Sequence, residues 1–137
     1  MNIELSQKEF RHLLDLVYIG NWVLNSTRGF DRFEVYDKLQ GKFFELAADF
    51  NMPELSQVFM GHVFPSQAYE SGGIHEAIAD YEDSVFFDIL AEELARRDMS
   101  DEHVNPDDIN ELAARMDNYM NEFELNGIDN ICLNNQL

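Results

Sequence analysis

Ile74-His75-Glu76-Ala77-Ile78-Ala79-Asp80-Tyr81-Glu82-Asp83-Ser84-Val85-Phe86-Phe87-Asp88-Ile89-Leu90 decides how many helices the chain contains. Its apolar residues recur at helical spacing, but the stripe they form turns. Ile74, Ile78, Tyr81 and Val85 point one way, while Phe86, Leu90 and Leu94 point well round from it. Asp88 and Glu92 fall on the continuation of the first stripe. Asp and Ser are natural caps, so the economical reading is a break near Asp80–Ser84. The spacing predicts a short helix from about Ile74 to Tyr81 and a second from about Asp83 to Asp98.

Toward the N-terminus, Ser6-Gln7-Lys8-Glu9 has the form of a capping box, which predicts a helix from about Gln7 to about Asn25. Phe10, Leu13, Leu14, Val17 and Leu24 share one face of it. Leu16, Tyr18, Ile19, Trp22 and Val23 cover its other sides, so this helix reads as buried all round or as partly a subunit interface. Tyr18, Ile19, Trp22 and Val23 are therefore candidate self-association residues, and a homodimer is a possible assembly. Asn21 and Asn25 lie on the Phe10–Val17 face and read as a core hydrogen-bonding device. Asp31 is a good N-cap for a second helix ending near Phe50, with Tyr36, Leu39, Phe43, Leu46, Ala47 and Phe50 as its stripe. A short third helix is expected over Pro53–Val63. Gly20 and Gly41, each alone in a helical pattern, read as points of close helix approach.

Toward the C-terminus, Asn105-Pro106-Asp107-Asp108 marks a helix start. Its stripe is Ile109, Leu112, Ala113, Met116, Met120 and Phe123, and Gly127 is its stop. Residues 126–137 read as a loose tail. No segment alternates at period two, so no sheet is expected. The expected fold is all-α: a compact bundle of five or six helices in one domain over residues 1–137. Phe10, Leu14, Val17, Leu39, Phe43, Ile78, Phe86, Leu90, Leu112, Met116 and Met120 form its expected core.

The chain is long enough to build such a core: 137 residues, 45% hydrophobic, with eleven Phe. Cys132 is the single cysteine, so no internal disulfide forms, which fits a reducing compartment. Met1-Asn2-Ile3-Glu4 has neither the basic nor the apolar part of a secretory signal. A cytoplasmic location is expected. Nine bases against 27 acids give a net charge of −18. Residues 1–65 hold nine acids and six bases, net −3; residues 66–137 hold 18 acids and three bases, net −15. Such a surface repels nucleic acid and anionic membranes and attracts basic proteins and divalent cations. It also serves solubility on its own.

Chemical motifs are sparse. His12, His62, His75 and His103 form no metal pair, and no phosphate loop or nucleophile elbow is present. Glu76, Asp80 and Asp83 stand at i, i+4 and i+7, and Asp88 and Glu92 at i, i+4. Such acids can ligate a hard cation, but the Glu-x-x-His partners of helical di-metal sites are missing. No catalytic residue, cofactor or metal is assigned, and the chain is read as a non-enzyme. Two further segments, Tyr18-Ile19-Gly20-Asn21-Trp22-Val23 and Tyr81 through Leu94-Ala95-Arg96-Arg97-Asp98, resemble small, uncharacterised acidic helical proteins of bacteria. That resemblance implies a bacterial, cytoplasmic, stand-alone domain and transfers no activity.

The leading functional reading is a protein-interaction domain, immunity-like, neutraliser-like or an adaptor, whose acidic face binds a basic protein. Glu76, Asp80, Glu82, Asp83, Asp88, Glu92 and Glu93 are its candidate contact residues. The alternatives are an acidic mimic of nucleic acid that blocks a DNA-binding protein, and a metal-dependent helical enzyme at Glu76, Asp80 or Asp83.

Overall fold

Ser6 starts the first helix as its sequence prescribes. In the computed structural model, which describes residues 2–133, the Ser6 hydroxyl accepts from the Glu9 amide at 3.3 Å. The Glu9 carboxylate accepts in return from the Ser6 amide at 2.8 Å. Helix α1 (Gln7–Asn25) follows, with Phe10, Leu14, Tyr18, Asn21 and Asn25 as its buried stripe. It is not buried all round, because Leu16 and Val23 stay exposed. Residues 134–137 of the expected loose tail lie outside the described residues.

Helix α2 (Glu34–Glu45) passes into a 3-10 segment, Leu46–Phe50, which ends at Asn51 in a left-handed conformation. Asp31 does not cap α2; it pairs with Arg28. Phe44 and Ala47 are the buried residues here, while Leu39 and Leu46 are exposed, so the buried face is turned from the expected stripe. Gly41 supplies the reason. A Cβ there would meet the Val63 carbonyl oxygen at 3.0 Å, so the missing side chain lets a strand lie against this face. Gly20 has nothing within 4 Å of such a Cβ and permits no close approach.

The expected third helix over Pro53–Val63 is mostly a β-hairpin. After one 3-10 turn, Pro53–Leu55, strand β1 (Ser56–Phe59) pairs antiparallel with β2 (His62–Pro65). Met60 and Gly61 both have positive φ, +48° and +76°, as a two-residue turn of the primed type requires. The expectation of no sheet is corrected accordingly: the protein is mostly helical with a small two-stranded sheet. Beyond β2, Ser66 caps a single turn, α3 (Gln67–Tyr69), which continues as a π turn, Glu70–Ile74. Gly73, at φ +105°, takes the conformation that turns this segment out of regular helix.

Helix α4 (His75–Asp101) is continuous, and the break expected near Asp80–Ser84 does not occur. No Gly or Pro interrupts the run, and Asp or Ser caps only where the chain leaves the helix. The rotated stripe has a different cause. The chain divides into two compact units, residues 1–78 and 79–137, and α4 belongs to both. Ile78 belongs to the core of the first unit, and Ala91, Ala95 and Met99 are buried in the second. Between them residues 79–84 are all exposed.

The core of the first unit joins Phe10, Leu14, Tyr18, Phe44, Ala47, Met52, Leu55, Tyr69, Ile74 and Ile78. In the second unit α4 faces α5 (Ile109–Asn126). Asp108 caps α5, and Gly127 ends it at φ +57°. Contacts of Glu102 with Arg115, Asp98 with Tyr119 and Phe87 with Phe123 run in opposite chain directions, so the two helices are antiparallel. Phe123 is buried. Leu112, Met116, Met120 and Leu90 are half-buried, and Phe86 is exposed.

Candidate functional site

Continuity of α4 determines where the candidate acids stand. At 100° per residue, Glu76, Asp80 and Asp83 share one side, Asp88 and Glu92 a second, and Glu82 and Glu93 a third. They surround the helix instead of forming one face. Glu92 is paired with Arg96 at 2.7 Å. Among the described residues the other ion pairs engage Asp15, Asp31, Glu34, Asp37, Asp98, Glu102 and Glu111. Glu76, Asp80, Glu82, Asp83 and Asp88 thus form an exposed run that no basic side chain neutralises.

The four candidate self-association residues separate. Tyr18 is buried, Ile19 and Trp22 pack against the first core, and only Val23 projects freely. The Tyr18 hydroxyl donates to Glu70 Oε1 at 3.1 Å and lies 2.8 Å from His75 Nε2. Burial, with the Glu70 charge second, raises its pKa above the ordinary phenol range. His75 also meets the Trp22 ring edge to face, with centroids 5.0 Å apart.

The first unit contains a groove of about 730 Å³, within the size range of small-ligand sites. One wall is a polar network from α1 and the start of α2. Asn25 Nδ2 donates to Asn21 Oδ1 at 2.8 Å, while Asn25 Oδ1 accepts from the Phe33 amide at 2.8 Å. Asn21 and Arg32 both donate to Asp37, at 3.0 and 2.7 Å. The Arg32 bonds, with smaller help from the two Asn, hold the Asp37 carboxyl below its usual range. The Asn pair is the core device read from the sequence; Arg32 and Asp37 complete it. The hairpin contributes Gln57, Phe59 and Phe64 to the lining. Gln40, Trp22 and Glu70 also line the groove. Among the described residues, Glu70 Oε2, the Trp22 ring N–H and the Gln40 and Gln57 amides hold no hydrogen-bond partner, and all four residues line the groove. The helix expected over Pro53–Val63 hides this lining in the sequence; the Met60-Gly61 centre between Phe59 and Phe64 is the available signal of a hairpin.

A polar cluster ties the second unit together. Tyr119 donates to Asp98 at 2.5 Å, Arg97 donates to Asp98 at 2.7 Å, and Arg115 bridges Glu102 and Glu111. The Tyr119 bond is the main cause that lowers the Asp98 pKa. Among the described residues, no group of three or more His, Cys, Asp or Glu is placed to hold a metal ion, and no helix is long and apolar enough to cross a membrane. Comparison with family models, curated proteins and solved structures gave no match.

Proposed function

We propose that the chain is a non-enzymatic protein-interaction domain whose acidic α4 segment meets a basic partner, as immunity proteins, neutralisers and adaptors do. The observation that carries this reading is the run 79–84, exposed at every position, with Asp80, Glu82 and Asp83 facing no base. Fixed carboxylates on a rigid helix raise the local concentration of a cationic protein and speed its encounter. Their spread around the helix favours a steering field over imitation of nucleic acid, which needs charges in line along one elongated face. Single exposed ion pairs contribute little, so the acids work as a group. Affinity purification from the native cell at low and at high salt tests the reading. A basic protein should be retained at low salt and released at high salt, because screening shortens the field to about 8 Å even at physiological strength.

A further inference from the structure

We propose that the groove of the first unit is a binding site for a guanidinium group. Its lining includes the Glu70 carboxylate, which commits only Oε1 to Tyr18. The carbonyls of Gln40 and Gln57 are further acceptors on the lining, and Phe59 and Phe64 supply flat apolar faces. The Arg32 charge in the wall is already spent: its Nε and one terminal nitrogen bond Asp37, and the other bonds the Asn25 carbonyl at 3.2 Å. What remains is the single negative charge of Glu70, in a molecule of net charge −18 that draws cations toward it. A planar guanidinium can stack on a ring while its edge donates to several acceptors at once. An ammonium is a compact, strongly hydrated point charge and matches such a lining less well. The same unit already seats guanidinium groups on its own rings, Arg28 over Phe33 at 4.3 Å and Arg11 over Tyr69 at 4.8 Å.

A free arginine-like molecule and an arginine residue of a polypeptide present the same group, and one titration separates them. Trp22 is the only tryptophan of the chain and lines the groove, so indole fluorescence reads occupancy directly. The full chain is titrated with free arginine, with a capped tripeptide carrying a central arginine, and with the same tripeptide carrying neutral citrulline. A saturable change with the arginine compounds and none with citrulline is expected. Equal affinity for arginine and tripeptide identifies a free small molecule as the ligand; tighter tripeptide binding identifies a polypeptide. Glu70→Gln keeps an acceptor for Tyr18 and should weaken binding about tenfold or more, with unchanged circular dichroism. Phe59→Ala, at an exposed strand position, should weaken it several-fold without touching the core, and it reads the site even if Glu70→Gln fails to fold. No saturable change up to about 10 mM with either arginine compound overturns the proposal. So does citrulline binding as well as arginine, or full affinity in both variants. The inference goes beyond the acidic-helix reading: charge reversal on α4 at physiological salt should leave this titration in place.

Discussion

Residues 2–78 enclose Leu14, Phe44, Tyr69 and the polar Asn25 almost completely, whereas residues 79–133 enclose Ala91, Ala95, Met99 and Phe123. The first unit packs large rings against one another: Phe44 meets Tyr69 edge to face at 4.8 Å, and Phe10 stacks on Phe50 at 3.9 Å. The second places small side chains at the centre of a helix pair and closes it with Arg97, Asp98, Tyr119 and Arg115. It also carries 16 acids against three bases, where the first carries eleven against six. A unit with a large apolar core can afford a polar groove, since burial elsewhere offsets the cost of ordering it. A unit with a thin core and a surplus of like charge is stabilised less by burial.

The largest expected effect separates the two cores. Leu14→Ala removes a fully enclosed side chain and should cost about 3–5 kcal/mol, read as an early Trp22 fluorescence transition in denaturant. Met99→Ala should cost about 2–3 kcal/mol and leave the Trp22 transition where it is. If Met99→Ala moves that transition as far as Leu14→Ala does, the units unfold as one and the comparison fails.

Alkali should come next. Tyr18 and Tyr69 have pKa values raised first by burial, then by Glu70 and Asp15 respectively. Their stabilising contribution is fully present below the unfolded tyrosine pKa near 10 and is lost as pH rises beyond it. Unfolding followed by Trp22 should therefore ease above about pH 10, and Tyr18→Phe with Tyr69→Phe should flatten that dependence. An undiminished alkaline loss in the double variant would contradict the assignment. On the acid side, Asp37 and Asp98 have lowered pKa values, so their contribution holds above about pH 4 and fades as pH falls below it. That arm should appear in both units.

Salt is a smaller lever with opposite weights in the two units. Screening the surplus of like charge should raise the second unit's stability by about 1 kcal/mol or less between low and high salt, while the Trp22 transition shifts little. Hydrogen exchange along α5 resolves the two; equal protection gains in α1 and α5 would remove the electrostatic distinction. Smallest is self-association. With Tyr18, Ile19 and Trp22 engaged in the first core, α1 offers a second copy mainly Leu16 and Val23. Light scattering at micromolar concentration should give a monomer, unchanged by Val23→Glu. A dimer dissociated by that variant would restore α1 as an interface.

Local chemistry was legible in the sequence and long-range partnership was not. The capping box at Ser6–Glu9 marked the start of the first helix, and Gly127 the stop of the last, because those signals act within a few residues. The amides of Asn21 and Asn25 announced a buried network, yet their partners Arg32 and Asp37 lie on the far side of a loop. The hairpin was hidden because a short apolar run reads equally as helix or strand. The rotated stripe in α4 was real, but a stripe records which sides of a helix are buried and not whether one core or two does the burying. The groove draws on residues from 18 to 70, so no local window contains it.

The acidic helix is tested most directly by moving charge without changing its amount. Asp80, Glu82, Asp83 and Asp88 are reversed to Lys in one protein, and Asp101, Asp117, Glu124 and Asp129, also exposed and outside the ion pairs, in another. Both variants lose the same net charge within the same unit. Each is used, beside the unaltered chain, to retain proteins from native cell extract at low salt. One basic protein should be held by the unaltered chain and by the second variant, with association at least about tenfold slower for the first. Equal loss in both variants, or a partner whose association ignores both, would contradict the acidic-helix reading and reduce the charge to a solubility device.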